Sequence, residues 1–495
     1  MEPTQDHLDP TAEISLETVK KRSVKGVVTL TARYFVLYGI TAVAQIFLGV
    51  YLTRGEYGVF GVVSAAVNFF IYFSDIGLAA ALIQKKEKPT QTDLKTTFTI
   101  QQVMVVTLLI ILFLLTPKIT ESYGLSLQGK YLIYALGFGL MLSSLKTIPT
   151  VLLERQIEFG KIAISNILEN LSYNIVLVLL AWKGFGVTSF TLAILTRGVI
   201  GVISMYILRP WKPGFAFSFT SLKKLLRYGL PYQFNSLIAL FKDDGIALTL
   251  GKIIGLDAFG LLIWAQKWIQ MPLRIFLDTI TKVTFPAFAR MQDEKEHLRA
   301  TVTRSIFVIC VLVFPSVAGM LITAPVILRV LPQYEKWLPA LFPMALLSVN
   351  VLFASVTTQL TNLLNSIGKI KLTTVFMIMW AALTWILVPY LATKQGLTGA
   401  ALGYALVGSS SVVVIFIVKR YVNFSLSQSA IRPLIATLAM SFVLLVLRPL
   451  LPFTLYSVLV LALTGISVYM VSLILLVGPT VIQDVKKAFK TLISR

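Results

Sequence analysis

Residues 454–477 read TLYSVLVLALTGISVYMVSLILLV, a run without a single charged side chain. As a helix rising 1.5 Å per residue it is long enough to cross a hydrocarbon core of about 30 Å. Apolar stretches of similar length recur back to Val27, and polar residues within them fall at helical spacing. A transmembrane barrel would show many short alternating segments instead. The stretch therefore sets the fold class as all-α and polytopic, and the hydrophobic fraction of 56% with only 13% charged residues extends that reading over the 495-residue chain. The mean hydropathy is +0.82.

Fourteen transmembrane helices are expected, at 27–49, 58–83, 97–116, 131–152, 162–182, 187–208, 229–251, 257–281, 305–328, 338–366, 372–392, 397–418, 431–450 and 454–477. The 44 Lys and Arg against 22 Asp and Glu would suggest nucleic acid on a soluble chain. Here their placement decides otherwise. The N-terminal tail, every second loop and the C-terminal tail hold 29 of them, the opposite loops hold 9, and six lie within spans. That asymmetry predicts both ends on the cytoplasmic side and an even number of helices, with no nucleic-acid partner. The acidic, polar segment 1–26 lacks the apolar core of a signal peptide, so the first helix is expected to be retained.

Leu48-Gly49 and Tyr57-Gly58 recur as Leu250-Gly251 and Phe259-Gly260, and Leu180-Ala181-Trp182-Lys183 is echoed by Leu391-Ala392-Thr393-Lys394. The echoes join helices of the same direction, which predicts two parallel six-helix bundles. The expected organisation is a tail (1–26), an N-lobe (27–208), a basic Pro-containing linker (209–228), a C-lobe (229–420), and a C-terminal helix pair with a basic tail (421–495).

Charges inside spans carry the chemistry, because each costs several kcal/mol unless it is paired or faces water. Lys267, Gln270, Arg274 and Asp278 are spaced three to four apart and form one stripe on a helix. Lys242, Asp243 and Asp244 sit in the seventh span, with Lys242 as deep as Lys267. Arg197 lies mid-way along the sixth, and Arg33 about two turns into the first. Ser64, Asn68, Tyr72 and Asp75 share a face of the second span, and Asn166, Glu169, Asn170 and Tyr173 cluster on the fifth. The balance is positive, which favours an anionic cargo such as a phosphate or pyrophosphate. Lys267, Arg274, Lys242, Arg197 and Arg33 are its candidate ligands, while Asp75, Glu169 and Asp278 are candidates for ion coupling. Structural ion pairing accounts for the same acidic residues, and snorkelling accounts for Arg33 and Lys146.

No Walker A motif is present, and His7, His297 and Cys310 have no partners at metal-ligand spacing, so neither ATP hydrolysis, a metal nor a cofactor is expected. The first outer loop holds only Glu56, which argues against a membrane-embedded glycosyltransferase. The expected protein is a transporter rather than an enzyme.

Several stretches together carry a resemblance. They are Tyr57-Gly58-Val59-Phe60, Phe73-Ser74-Asp75-Ile76-Gly77-Leu78, Ala81-Leu82-Ile83-Gln84-Lys85-Lys86, Glu154-Arg155-Gln156-Ile157-Glu158-Phe159, Leu226-Arg227-Tyr228-Gly229-Leu230-Pro231 and Phe285-Pro286-Ala287-Phe288-Ala289-Arg290. Over roughly residues 25–420 the chain resembles the WzxC-like branch of the Wzx-type polysaccharide flippases, in the multidrug/oligosaccharidyl-lipid/polysaccharide exporter superfamily. The resemblance implies a MATE-like pair of six-helix bundles around a cationic cavity. It also implies transport of undecaprenyl-pyrophosphate-linked oligosaccharide across the cytoplasmic membrane, with membrane lipid and other polysaccharide-assembly proteins as partners. Lys242-Asp243-Asp244 departs from the family's usual Asp followed by Arg. A cation-coupled multidrug exporter on the same fold is the nearest alternative.

Overall fold

The computed structural model describes residues 16–75, 77–85, 87–219, 222–223 and 237–478. All regular structure among them is helical. That is what lipid demands, since a helix satisfies its own backbone donors and acceptors where no water can. The chain is a multi-pass membrane protein.

It divides into two compact units, Met1–Leu248 and Thr249–Arg495. The first contains α1 (Leu16–Tyr51), α2 (Arg54–Phe73), α3 (Leu78–Gln84), α4 (Gln91–Tyr123), α5 (Leu127–Leu145), α6 (Thr147–Arg155), α7 (Phe159–Trp182) and α8 (Val187–Leu208). A π-helical turn, Phe241–Gly245, leads into α9 (Ile246–Ile253). The second unit continues with α10 (Gly255–Arg290), α11 (Lys295–Val330), α12 (Leu341–Ser366), α13 (Ile370–Ser409), α14 (Ser411–Tyr421), α15 (Arg432–Leu447) and α16 (Leu455–Val477).

Ten helices among the described residues are long and apolar enough to cross a membrane, or eleven if the bent pair α5 and α6 forms one span. Fourteen is reached only by also dividing 370–421 at Gly396 and adding α10 and the helix that ends at Ile253. The count of fourteen therefore stands as an expectation, as do the lobe boundaries.

Two spans differ from their sequence reading. The expected helix 58–83 stops at Phe73 and resumes as the short α3, and the expected helix 131–152 bends by 41° between Leu145 and Thr147. Charge explains the first break. Asp75 Oδ1 accepts the backbone N–H of Leu78 at 2.8 Å and of Ala79 at 3.4 Å, so a carboxylate holds the N-terminus of α3. Arg155 holds its other end, donating to the carbonyls of Leu82 (2.8 Å), Ile83 (3.1 Å) and Lys85 (2.8 Å). Opposite charges thus complement both ends of a seven-residue helix that could not stand alone. Its apolar face, Leu78, Ala81 and Leu82, is buried with Leu94, Phe98, Ile148, Val151, Leu152 and Trp211.

The Arg155 motif ends α6 in a Schellman turn. Glu158 N–H bonds the Leu153 carbonyl at 2.9 Å and Ile157 N–H bonds the Glu154 carbonyl at 3.0 Å, with Ile157 at φ 55° where glycine is usual. Arg155→Ala is expected to lower stability by about 2–3 kcal/mol, because it strips charge-assisted donors from three carbonyls. Arg155→Lys recovers only part of this, since an ammonium cannot fan across all three. Thermal unfolding of the purified protein compares the three forms.

Two glycines that follow the echoed stretches share a backbone conformation. Gly186, between α7 and α8, adopts φ 55°, ψ −128°, and Gly396, inside α13, adopts φ 57°, ψ −132°. No L side chain is comfortable there. Gly396 breaks α13 into two helices that pack back on each other through Gly399 and Gly403. In the second unit α15 and α16 pack on α11, with Ala436, Met440, Leu444, Leu461 and Tyr469 against Ile322 and Val326.

Candidate functional site

In the first unit α7 faces α1 and α8, and α8 also packs on α5. This brings Glu169 of α7 between two cations. Its side chain is only 6% exposed and accepts from the Lys146 ammonium, at the bend after α5, while Arg197 Nε of α8 lies 3.7 Å from its other oxygen. Ser165 Oγ lies 3.5 Å from the same carboxylate and 2.8 Å from Ser204 Oγ. The Cβ of any larger residue at Gly201 would lie 2.7 Å from the Glu169 carboxyl carbon, so the carboxylate occupies space that only glycine leaves. Arg197 also stands 6.0 Å from the Tyr173 ring centre.

The two cations differ in surroundings. Lys146 is 19% exposed, but Arg197 is 56% exposed although it sits roughly 15 Å from either end of α8. A guanidinium at that depth is costly against acyl chains unless it is paired, and Glu169 supplies a carboxylate on one side of it. The sequence showed these charges separately; the fold joins them.

The π-turn before α9 packs on α2. Asn68 Nδ2 donates to Asp244 Oδ1 at 2.9 Å, Phe69 meets Phe241 edge to face at 5.2 Å, and Lys242 pairs with its neighbour Asp243 at 2.6 Å. π-turns widen the helix and often mark functional positions. The expected polar face of α2 is therefore divided: Asn68 meets Asp244, whereas Asp75 caps α3. Arg33 lies 4.7 Å over the Tyr34 ring and within electrostatic reach of Glu154. Its Nε is buried without a hydrogen-bond partner among the described residues.

In the second unit, α10 carries Lys267 and Arg274 roughly 18 and 28 Å along its axis from Gly255. Arg274 is exposed and donates to Gln270 at 3.1 Å, one turn away, as the predicted stripe requires. Lys267 is half-buried. The side chain of Asp278 lies outside the described residues, as does Asn235. One turn before Lys267, Trp264 stacks on Trp337 at 5.0 Å. An uncharged network not foreseen from the sequence ties α10 to α12: Thr284 donates to Gln359 Oε1 at 3.1 Å, and Gln359 and Asn362 donate to Thr281 at 3.0 and 3.2 Å. Gln359 is wholly buried, and an amide side chain within an apolar span was its only signal in the sequence.

Comparison with known proteins places this basic, helical architecture. A family model described as "Polysaccharide biosynthesis protein" matches residues 48–341, more than half of the chain. The chain belongs to the polysaccharide biosynthesis protein family. It is 23% identical to the lipopolysaccharide biosynthesis protein WzxC of Escherichia coli over 81% of each chain. It is 21% identical to the succinoglycan biosynthesis transport protein ExoT of Rhizobium meliloti over 57% of each. The teichuronic acid biosynthesis protein TuaB of Bacillus subtilis matches at 21% identity over 54% of this chain and 55% of its own.

Among solved structures, the lipid II flippase MurJ in its inward closed conformation superposes with a TM-score of 0.75 at 15% identity, covering 91% of this chain and 98% of its own. A multidrug resistance MATE transporter of the MOP superfamily gives 0.60 at 16% identity, over 80% and 97%. The polysaccharide biosynthesis family member thus has the MOP fold, as the quoted motifs implied. Those motifs map onto structural devices: Phe60 stacks on Phe190 at 4.2 Å, Tyr57 is fully buried and donates to Gln45 at 3.1 Å, and the Asp75 and Arg155 motifs clamp α3.

Proposed function

We propose that this chain translocates a polyprenyl-pyrophosphate-linked oligosaccharide across the cytoplasmic membrane of a prokaryote by alternating access, with both termini in the cytoplasm. The observation that carries the reading is Arg197: its Nε pairs with Glu169, yet the guanidinium is more than half exposed at mid-helix depth, which leaves it room to meet an anionic head group as well. Arg274, also exposed, gives the second unit a comparable group. Family membership and the fold support a lipid-linked saccharide as the cargo class.

In this reading Arg197, Lys242, Lys267, Arg274 and Arg33 offer charge-assisted hydrogen bonds to pyrophosphate oxygens. No bond in the cargo is broken, and the chain works as a transporter rather than an enzyme. Partners would be the lipid-linked substrate, surrounding lipid and other polysaccharide-assembly proteins. Asp75 and Glu169 are engaged as a helix cap and in an ion-pair triad, which favours structural roles for both over ion coupling.

Flipping of a fluorescent polyprenyl-pyrophosphate oligosaccharide in proteoliposomes tests the proposal. The parent is expected to move it, and Lys267→Ala and Arg274→Ala to slow it at least tenfold while remaining folded. Asp75→Asn, which keeps the capping oxygen but cannot titrate, is expected to transport normally. A parent that is inert toward this lipid but exports cationic dyes under a proton gradient would overturn the reading in favour of the multidrug exporter.

A further inference from the structure

In the irregular segment after α8, exposure alternates residue by residue from Gly214 to Phe219. Phe215, Phe217 and Phe219 are 77%, 64% and 69% exposed, while Gly214, Ala216 and Ser218 between them are half-buried. Alternation of period two puts the three rings on one edge. Exposed phenylalanines at this density are unusual unless something apolar covers them.

The segment's depth is fixed by α4. Ala216 N–H donates to Thr99 Oγ1 at 3.1 Å, Trp211 is buried edge-on against Phe98 at 5.2 Å, and the backbone at Gly214 runs along the stem of Lys95. Between Thr99 and Lys118, α4 has no charged residue over a rise of roughly 28 Å, close to the thickness of the hydrocarbon core. Thr99 therefore marks one boundary of that core. Lys95, one turn further, lies at headgroup level. The three rings are held at this boundary, flanked by the exposed Lys212 and Lys223.

We propose that residues 215–219 form an interfacial anchor. Phe215, Phe217 and Phe219 insert between the headgroups and first acyl carbons of the leaflet on the Lys95 side, and Lys212 and Lys223 meet anionic phospholipid headgroups. The occupant is the bilayer itself, because the anchor follows directly on a spanning helix and is pinned at the depth where aromatic side chains partition. It fixes this segment of the first unit to the membrane surface, whatever cargo is carried.

The native Cys310 is fully buried, so a cysteine introduced at 217 or 219 is the labelled one in the folded protein. Spin labels at Phe217→Cys and Phe219→Cys, in vesicles of phosphatidylcholine with phosphatidylglycerol, are compared with one at Ala216→Cys. Labels at 217 and 219 are expected to collide with oxygen several-fold more than with a water-soluble nickel complex, and the 216 label to be shielded from both. Removing phosphatidylglycerol is expected to shift the 217 and 219 labels toward water. Nickel-accessible labels at 217 and 219, or labels shielded from both reagents by protein, would each overturn the anchor, and an unchanged depth without phosphatidylglycerol would overturn its lipid preference. A Phe217→Ser/Phe219→Ser variant bearing a label at 215 repeats the test without reliance on one probe: it is expected to move the label toward water, and no movement counts against insertion.

Discussion

Glu169→Ala is expected to lower the stability of the first unit by about 3–5 kcal/mol, the usual loss when one partner of a buried ion pair is removed. The substitution leaves the Lys146 ammonium, 19% exposed, without the carboxylate it donates to. Arg197 contributes little to the loss, since it is already half open to its surroundings. In a unit of this size the effect corresponds to a fall in melting temperature of roughly 6–20 °C. The double variant Lys146→Met/Glu169→Leu is expected to recover most of it, because apolar groups of similar volume can replace a buried pair at little net loss. Melting of detergent-solubilised protein, followed by size exclusion, reads all three. If Glu169→Ala melts with the parent, the triad does not bear load. If the double variant is no better than the single, unpaired charge is not the cause.

The second large effect belongs to α13. A Cβ at Gly403 would stand 2.7 Å from Val388 Cα and 3.1 Å from Val388 N, and one at Gly399 would collide with the Leu391 carbonyl oxygen. These neighbours are backbone, which cannot swing aside. Gly399 and Gly403 form a small-xxx-small face, which lets two helices in lipid gain contact where no hydrophobic effect draws them together. Gly403→Ala is expected to cost about 1–3 kcal/mol as overpacking, with Gly403→Val and Gly403→Leu costing progressively more as the helices are forced apart. Leu406→Ala, on an exposed position three residues away, is expected to melt like the parent and serves as the control. A series without size dependence would show that the close approach at Gly403 is absent.

The first prediction concerns residues whose presence is visible in the sequence and whose partners are not. Glu169 and Arg197 read as intramembrane charges needing company, but Lys146, which read as a snorkelling lysine, is the partner that closes the triad. The stripe Lys267, Gln270, Arg274 on α10 was legible because helical spacing is local, and the Arg274–Gln270 bond follows it directly. Asp75 was legible as a polar residue in a span, yet its role as a cap depends on α2 breaking at Phe73. No periodicity announced that break, because apolar residues continue on both sides of it, Phe69 to Phe73 before and Leu78 to Ile83 after.

Family motifs carried a different kind of signal. The Arg155 stretch carries family resemblance for a physical reason: a guanidinium reaching carbonyls some seventy positions earlier in the chain. The echo of Leu180–Lys183 in Leu391–Lys394 marked two turns, but their shared left-handed glycine conformation at Gly186 and Gly396 lies just beyond the echoed residues.

By itself the sequence determined that the chain lives in a bilayer as many helices, since lipid leaves backbone groups no other partner and hydropathy is additive along a chain. Charge asymmetry between loops pointed to orientation by the same local arithmetic. The tertiary structure alone decided which intramembrane charges pair, where spans break, and which glycines must stay small. Those outcomes depend on distances between helices far apart in sequence, set by packing against neighbours rather than by any window of residues.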